Sequence, residues 1–239
     1  MGPEIEHHPL SGADGSATFV SELCSVLAAV NGPIEVQRRD ELSDQAAIEV
    51  NVLAASGASS PRERWMESMI ASVLREIILV QLHPRTLIQV TLQITKGITT
   101  GKTAVRDLAL LPGLLNAAFL ALVDAGVPLG MTVTAVLVGI AKDKPAVVEP
   151  TEKEISGCQS VHVFAYSQQG ALFLNESTGR FSIDEWDTVA QVAEQRCASV
   201  LQAADEDVDM RDEETRKAAW MRAELEERAN DQGAWRQDT

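Results

Sequence analysis

Hydrophobic periods of two kinds alternate along this 239-residue chain, and that alternation limits its fold more than any other feature. Ala47-Ile48-Glu49-Val50-Asn51-Val52 and Val161-His162-Val163-Phe164-Ala165-Tyr166 switch between apolar and polar at period two, as half-buried strands do. Ala17–Val20, Cys24–Val30, Leu87–Ile94, Val133–Lys142 and Ala171–Leu174 read as further strands, with Asn31-Gly32-Pro33 ending the second and Gly170 turning a hairpin into the last. Between them lie helical spacings. Ser59-Ser60-Pro61 offers a cap and a first-turn proline to a helix carrying Trp65, Met69, Val73, Ile77 and Val80, which Pro84 stops. Pro112 is read as opening an apolar helix from Leu114 to Asp124, and Ser182 as capping one over 183–203. Residues 97–103 are expected to be a loop and 145–156 an irregular connection. Strands alternating with helices predict an α/β sandwich of mixed sheets covered by helices.

Three stretches delimit the domain. Residues 1–15, with His7-His8-Pro9 and Gly12-Ala13-Asp14-Gly15, offer turn chemistry and little to bury, and are expected to be a flexible lead. Residues 16–204 form the predicted domain. Residues 205–239 carry 12 acids and 6 bases, an acidic charged tail that is helix-compatible but has only a narrow apolar stripe of Ala218, Met221 and Leu225. Trp220 and Trp235 stand out in it, since a purely solvated segment needs neither.

Charge and cysteine content narrow the function. The net charge is −15, of which the tail supplies −6 and the rest −9, so contact with a polyanion has to be local. Cys24, Cys158 and Cys197 are far apart and form no C-x-x-C pair, which fits a reduced compartment and buried thiols. The acidic start has no signal-peptide pattern, and no apolar run suggests a bilayer span. Thr99-Thr100-Gly101-Lys102-Thr103 lacks the glycine spacing of a phosphate loop, and no nucleophile elbow or dinucleotide fingerprint is present. No metal site and no cofactor are expected: His7-His8 has no third ligand near it in sequence.

Three segments together carry a resemblance. They are Asn31-Gly32-Pro33-Ile34-Glu35 with Arg38-Arg39-Asp40-Glu41; His83-Pro84-Arg85-Thr86 leading into the Gln89–Ile94 strand; and Asn116-Ala117-Ala118-Phe119-Leu120-Ala121-Leu122-Val123-Asp124-Ala125-Gly126. In order and spacing over residues 17–204 they resemble the RNase-PH-like subunits of the eukaryotic RNA exosome ring. The resemblance implies a β-α-β sandwich of the S5-domain-2 type, in a six-subunit ring around an RNA channel. It implies a dimer partner of the ribosomal-RNA-processing protein 43 type, a component-45 type ring neighbour, an S1/KH cap protein, and work in nucleus, nucleolus and cytoplasm.

Active members of that family cleave RNA with phosphate, and the resemblance tells where their machinery would stand. A Ser/Thr–Arg–Ser/Thr phosphate cradle at the start of the central helix is replaced by Leu110-Leu111-Pro112, which offers no side-chain donor. A pair of aspartates six residues apart is matched by Glu154 and Ser160. No catalytic residue is therefore expected, and a non-catalytic ring subunit is the leading reading. A weakly active phosphorolytic or hydrolytic 3′-exoribonuclease and a free homodimeric nucleic-acid-binding module are its rivals. The resemblance also aligns Arg62 with an arginine directed at RNA phosphate. Arg64 on the same helix and Arg85 after Pro84 complete the candidate RNA-binding set. His162 is expected to be structural.

Overall fold

In a computed structural model, which describes residues 2–54, 60–99, 101–141, 144–201 and 219–237 (backbone only at 144–145 and 231–237), the periodic runs build two sheets. The first has the order β1-β2-β3-β5-β4, from β1 (Glu4–His7), β2 (Gly15–Val20), β3 (Ser25–Glu35), β4 (Ala47–Leu53) and β5 (Thr86–Lys96). The second has the order β7-β6-β8-β9, from β6 (Val133–Ala141), β7 (Lys144–Val148), β8 (Cys158–Ser167) and β9 (Leu172–Gly179). All pairings are antiparallel except β4 with β5, which run parallel across the crossover helix α1 (Pro61–Ile77).

The central helix α2 (Thr103–Asp124) packs on β2 and β3 of one sheet and on β6 and β8 of the other, so it is the filling of a β-α-β sandwich. That position explains its composition. A helix wedged between two sheets has no solvent face, and nearly every residue from Asp107 to Asp124 is buried. Long and apolar enough to cross a bilayer by composition, it is instead enclosed by the protein. Asn116 is the buried polar residue at its middle: its amide receives the Ala135 N–H at 2.9 Å and donates to the Ala135 carbonyl at 3.0 Å. The β7 ladder pairs with β6 only from Val138 onward, so Asn116 satisfies a stretch of β6 edge that β7 leaves open. Helix α4 (Ile183–Leu201) covers the outer face of the second sheet, where Val189, Ala193 and Cys197 meet Val136, Val138 and Phe164. The fold is thus the expected α/β sandwich, with strands where period two placed them.

The differences from the sequence reading share one cause, packing by distant residues. Pro112 does not open α2, which starts at Thr103 and keeps the proline in its interior. Proline costs a helix one hydrogen bond, but burial between two sheets outweighs that local preference. Gly113 follows because Cys24 Sγ would lie 2.2 Å from any Cβ there. Helix α1 ends at Ile77 rather than Val80, which begins a short 3-10 turn. The connection over 145–156 is ordered as β7 and a short helix, α3 (Glu152–Gly157). Position 142 and the last residues assigned to the 183–203 helix lie outside the described residues.

Both chain ends correct the expected boundaries. The lead is not flexible throughout: Glu4–His7 pairs antiparallel with β2, and β2 itself begins at Gly15. Gly15 passes so close to the end of α2 that a Cβ would sit 2.2 Å from the Ala125 nitrogen. In the acidic tail a helix, α5 (Trp220–Gln237), packs on the domain instead of leaving it. Ala219, Trp220, Met221 and Ala223 are buried, and the Trp220 ring lies 5.5 Å from that of Phe19. The charges that marked this segment as solvated serve to hold it. His7 Nε2 pairs with Glu224 at 2.5 Å and His8 Nδ1 with Asp124 at 2.9 Å. Arg228 of α5 pairs with the same Asp124 carboxylate and donates to its carbonyl oxygen at 2.9 Å. The backbone of 205–218 and the side chain of Trp235 lie outside the described residues.

Candidate functional site

Helix α1 starts with a capping box: the Ser60 N–H donates to Glu63 Oε2 at 2.8 Å, and the Ser60 hydroxyl accepts from the Arg62 N–H at 3.3 Å. This presents Arg62 and Arg64 in the first turns. Arg62 is not free. Its Nε donates to Asp107 Oδ2 at 3.0 Å and a terminal nitrogen pairs with Oδ1, a two-point fork onto the first turns of α2. That carboxylate holds the Arg62 pKa above its ordinary value. Arg64 is exposed and has no ion pair among the described residues.

Arg85 stands elsewhere. It precedes β5, while α1 begins after the opposite end of the parallel β4–β5 pair. The length of α1, about 25 Å at 1.5 Å per residue, separates the two locations. Arg85 adopts a left-handed φ of 62° and reaches Glu41 Oε1 at 3.4 Å. The three arginines therefore form no single patch. Sequence reasoning missed Asp107 of α2 as the partner that the fold brings to Arg62. Arg106 donates to Thr103 Oγ1 at 3.3 Å, and its Nε is buried with no hydrogen-bond partner among the described residues.

The place of the phosphate cradle is closed. Leu110, Leu111 and Pro112 are buried about two turns inside α2, where backbone amides are committed to the helix. The free amides of a helix N-terminus, which suit an anion, have moved with the helix start to Thr103. Glu154 is likewise committed. It is the third residue of α3 and accepts from the Thr151 N–H at 2.9 Å and the Thr151 hydroxyl at 3.0 Å, a second capping box. Ser160, six residues on, is buried, with its hydroxyl 2.9 Å from His162 Nε2. His162 Nδ1 meets the Ser177 hydroxyl at 2.8 Å, and Phe181 closes edge-on over the ring at 4.7 Å. Burial pushes the His162 pKa down to about 4, against a weaker pull from Glu185, so the ring is neutral near pH 7. It joins β8 to β9 as the expected structural histidine.

No group of three or more His, Cys, Asp or Glu side chains is placed to hold a metal among the described residues. A cleft of about 300 Å³ between α4 and α5 is lined by Thr132, Gln168, Leu201, Leu225, Arg222 and Glu226. Its two charges pair with each other at 2.6 Å, leaving no acid–base set.

Residues 3–128 match the model of the 3′ exoribonuclease family, domain 1. The chain is 34% identical to exosome complex component RRP46 of Saccharomyces cerevisiae over 209 residues, covering 84% of this chain and 92% of that one. The crystal structure of rice (Oryza sativa) Rrp46 matches with a TM-score of 0.72 at 26% identity, covering 93% of this chain and 94% of that one. An Archaeoglobus fulgidus exosome with RNA bound to its active site shares the fold, with a TM-score of 0.63 at 16% identity over 82% of this chain and 85% of that one.

Proposed function

The chain belongs to the 3′ exoribonuclease (RNase PH) family, and from that premise we propose that it is a non-catalytic ring subunit of an RNA exosome, of the RRP46 type (also called exosome component 5). One observation carries the non-catalytic reading. Where a phosphorolytic relative needs donors for inorganic phosphate, this chain has Leu110, Leu111 and Pro112 packed into the core. Phosphorolysis requires charge stabilisation on both the attacking phosphate and the leaving oxygen. Apolar side chains in a closed helix supply neither. The acid that remains, Glu154, caps α3, and the second acid is Ser160, bonded to a neutral histidine.

In this reading the subunit's work is architectural. It supports 3′-to-5′ RNA processing and degradation, ribosomal RNA included, by passing RNA to a nuclease elsewhere. Its partners are other RNase-PH-like subunits: one of the ribosomal-RNA-processing protein 43 type as dimer partner and a component-45 type as ring neighbour, with an S1/KH cap protein above. Edge strands β1 and β4 of one sheet and β7 and β9 of the other offer backbone for such contacts. Arg62 and Arg64 touch RNA at the start of α1, and Arg85 makes a separate contact at the far end of the β4–α1–β5 unit. Nucleus, nucleolus and cytoplasm are the compartments proposed.

The test has two arms. The purified chain, given a single-stranded RNA, Mg²⁺ and inorganic phosphate, should yield no shortened product and no nucleoside diphosphate. Tagged in cells, it should bring down RNase-PH-like subunits in equal amounts. Phosphate-dependent shortening that Glu154→Gln abolishes would sink the non-catalytic reading, and a clean monomer with no such companions would sink the ring.

A further inference from the structure

The Arg62–Asp107 fork gives the proposed RNA contact a second level, and the inference rests on that contact. A guanidinium has two edges that accept a bidentate anion, and its charge is shared between them. Asp107 occupies one edge with both oxygens. The third nitrogen of Arg62 has no hydrogen bond among the described residues. The Asp107 side chain is 11% exposed and the Arg62 side chain 42% exposed. The carboxylate is thus the fixed member and the arginine the one that reaches solvent. Nothing on the helix of Asp107 competes for it as a cation partner: Arg106, next in sequence, bonds Thr103.

We propose that Asp107 is an internal anion competing with nucleic-acid phosphate for Arg62. Held by Asp107, the arginine offers phosphate only its outer edge and a largely neutralised charge. It makes a weak contact of the kind a strand sliding past needs, instead of a clamp. Loss of the carboxylate would turn the same arginine into a fork for phosphate. The acidic balance of the whole chain gives this device its sense, since a net charge of −15 leaves few cations to hold a polyanion.

The experiment measures binding of a labelled single-stranded oligouridylate to rings purified through the tagged full-length chain, across a salt series, for wild type, Asp107→Asn, Arg62→Ala and the double variant. Asparagine keeps the size and one acceptor of aspartate, and melting curves report whether each variant is folded. Asp107→Asn should bind on the order of fivefold tighter, the value of about one net hydrogen bond. Its logarithmic salt slope should steepen by about 0.7, the increment for one phosphate on a single strand. The double variant should bind like Arg62→Ala. If Asp107→Asn binds like wild type while Arg62→Ala weakens, the competition is refuted and the RNA contact stands. If Asp107→Asn weakens binding as Arg62→Ala does, Asp107 presents the arginine and the competition is again refuted. If neither single variant changes binding, the RNA contact at Arg62 falls and takes the competition with it. Should Asp107→Asn not assemble, Arg62→Lys reads the same point. A lysine keeps the charge that Asp107 offsets but has no planar fork for phosphate, and should bind as weakly as alanine; wild-type affinity overturns the proposal.

Discussion

Asp107 and Asp124 lie towards opposite ends of helix α2, and each is paired with an arginine from another element, Arg62 of α1 or Arg228 of α5. Their settings differ. Asp107 is in the second turn, past the free N-terminal amides, and its arginine is partly in water. Asp124 is the last residue of the helix, where the dipole opposes it, and its side chain is fully buried. A buried acid in an unfavourable field needs several donors, and Asp124 has them: Arg228, His8 Nδ1 at 2.9 Å and the Ser16 N–H at 2.9 Å. The donors come from the two chain ends. The first pair keeps an arginine that reaches solvent and is available for function. The second ties both termini into the fold.

Truncation is the sharpest way to break the comparison. Deleting 219–239 removes Arg228 from Asp124, a loss of about 3–5 kcal/mol for an unpaired buried charge. It also removes the buried Trp220 and Met221, whose packing contributes about 1.5–3 kcal/mol each, and uncovers Phe19. The melting temperature should fall by at least about 10 °C, at roughly 2–4 °C per kcal/mol for a chain of this size, or the chain should not fold. A shift within about 2 °C would mean that α5 is an ornament.

Next in size is Arg228→Met, which keeps much of the stem and removes the charge. It should cost about 3 kcal/mol in denaturant unfolding, and adding Asp124→Asn should recover part of that, giving a positive coupling in a double-mutant cycle. Simple additivity would show that the two side chains do not depend on each other.

A smaller effect distinguishes the two ends by pH. The hydrogen bond to Glu224 raises the His7 pKa above its ordinary 6.5, aided by the charges of Glu224 and Asp124 and opposed by burial and by Arg228. A raised histidine stabilises fully below the unfolded value and loses that contribution as pH rises through the folded one. The stability advantage of wild type over His7→Gln should therefore be fully present below pH 6.5 and shrink as pH rises above it. His162 has the opposite sign, since its pKa of about 4 makes folding lose stability as pH falls below 6.5. Comparing variants at each pH cancels that background. A difference that grows with pH would exclude the His7–Glu224 pair as its source.

The smallest effect belongs to the other end of α2. Asp107→Asn should move stability by less than about 1 kcal/mol, because its arginine is half-exposed and such pairs contribute little. A melting shift as large as that of Arg228→Met would make the two ends equivalent and leave the Arg62 edge no freedom to act.

Much of this molecule was legible before any coordinates. Period-two runs at 47–52, 87–94 and 161–166 became β4, β5 and β8, and the Ser60–Pro61 signal became a capping box at the start of α1. The leucines and proline at 110–112 spoke against phosphate binding by their chemistry alone. Less legible was the company each residue keeps. The partner of Arg62 is Asp107, 45 residues away on another helix, which no local pattern indicates.

What the amino-acid order determined by itself is local: side-chain periods, caps, the absence of donors at 110–112, and the apolar character of α2, all of which follow from chemistry within a few residues. Tertiary structure alone decided the rest. It kept Pro112 inside a helix that burial on both faces holds together. It turned a charged tail into part of the domain, since Trp220 found Phe19 and Arg228 found Asp124. The physical reason is the same in each case. The energy of a buried charge or a large apolar side chain is set by what surrounds it, and those surroundings come from parts of the chain that sequence proximity does not reveal.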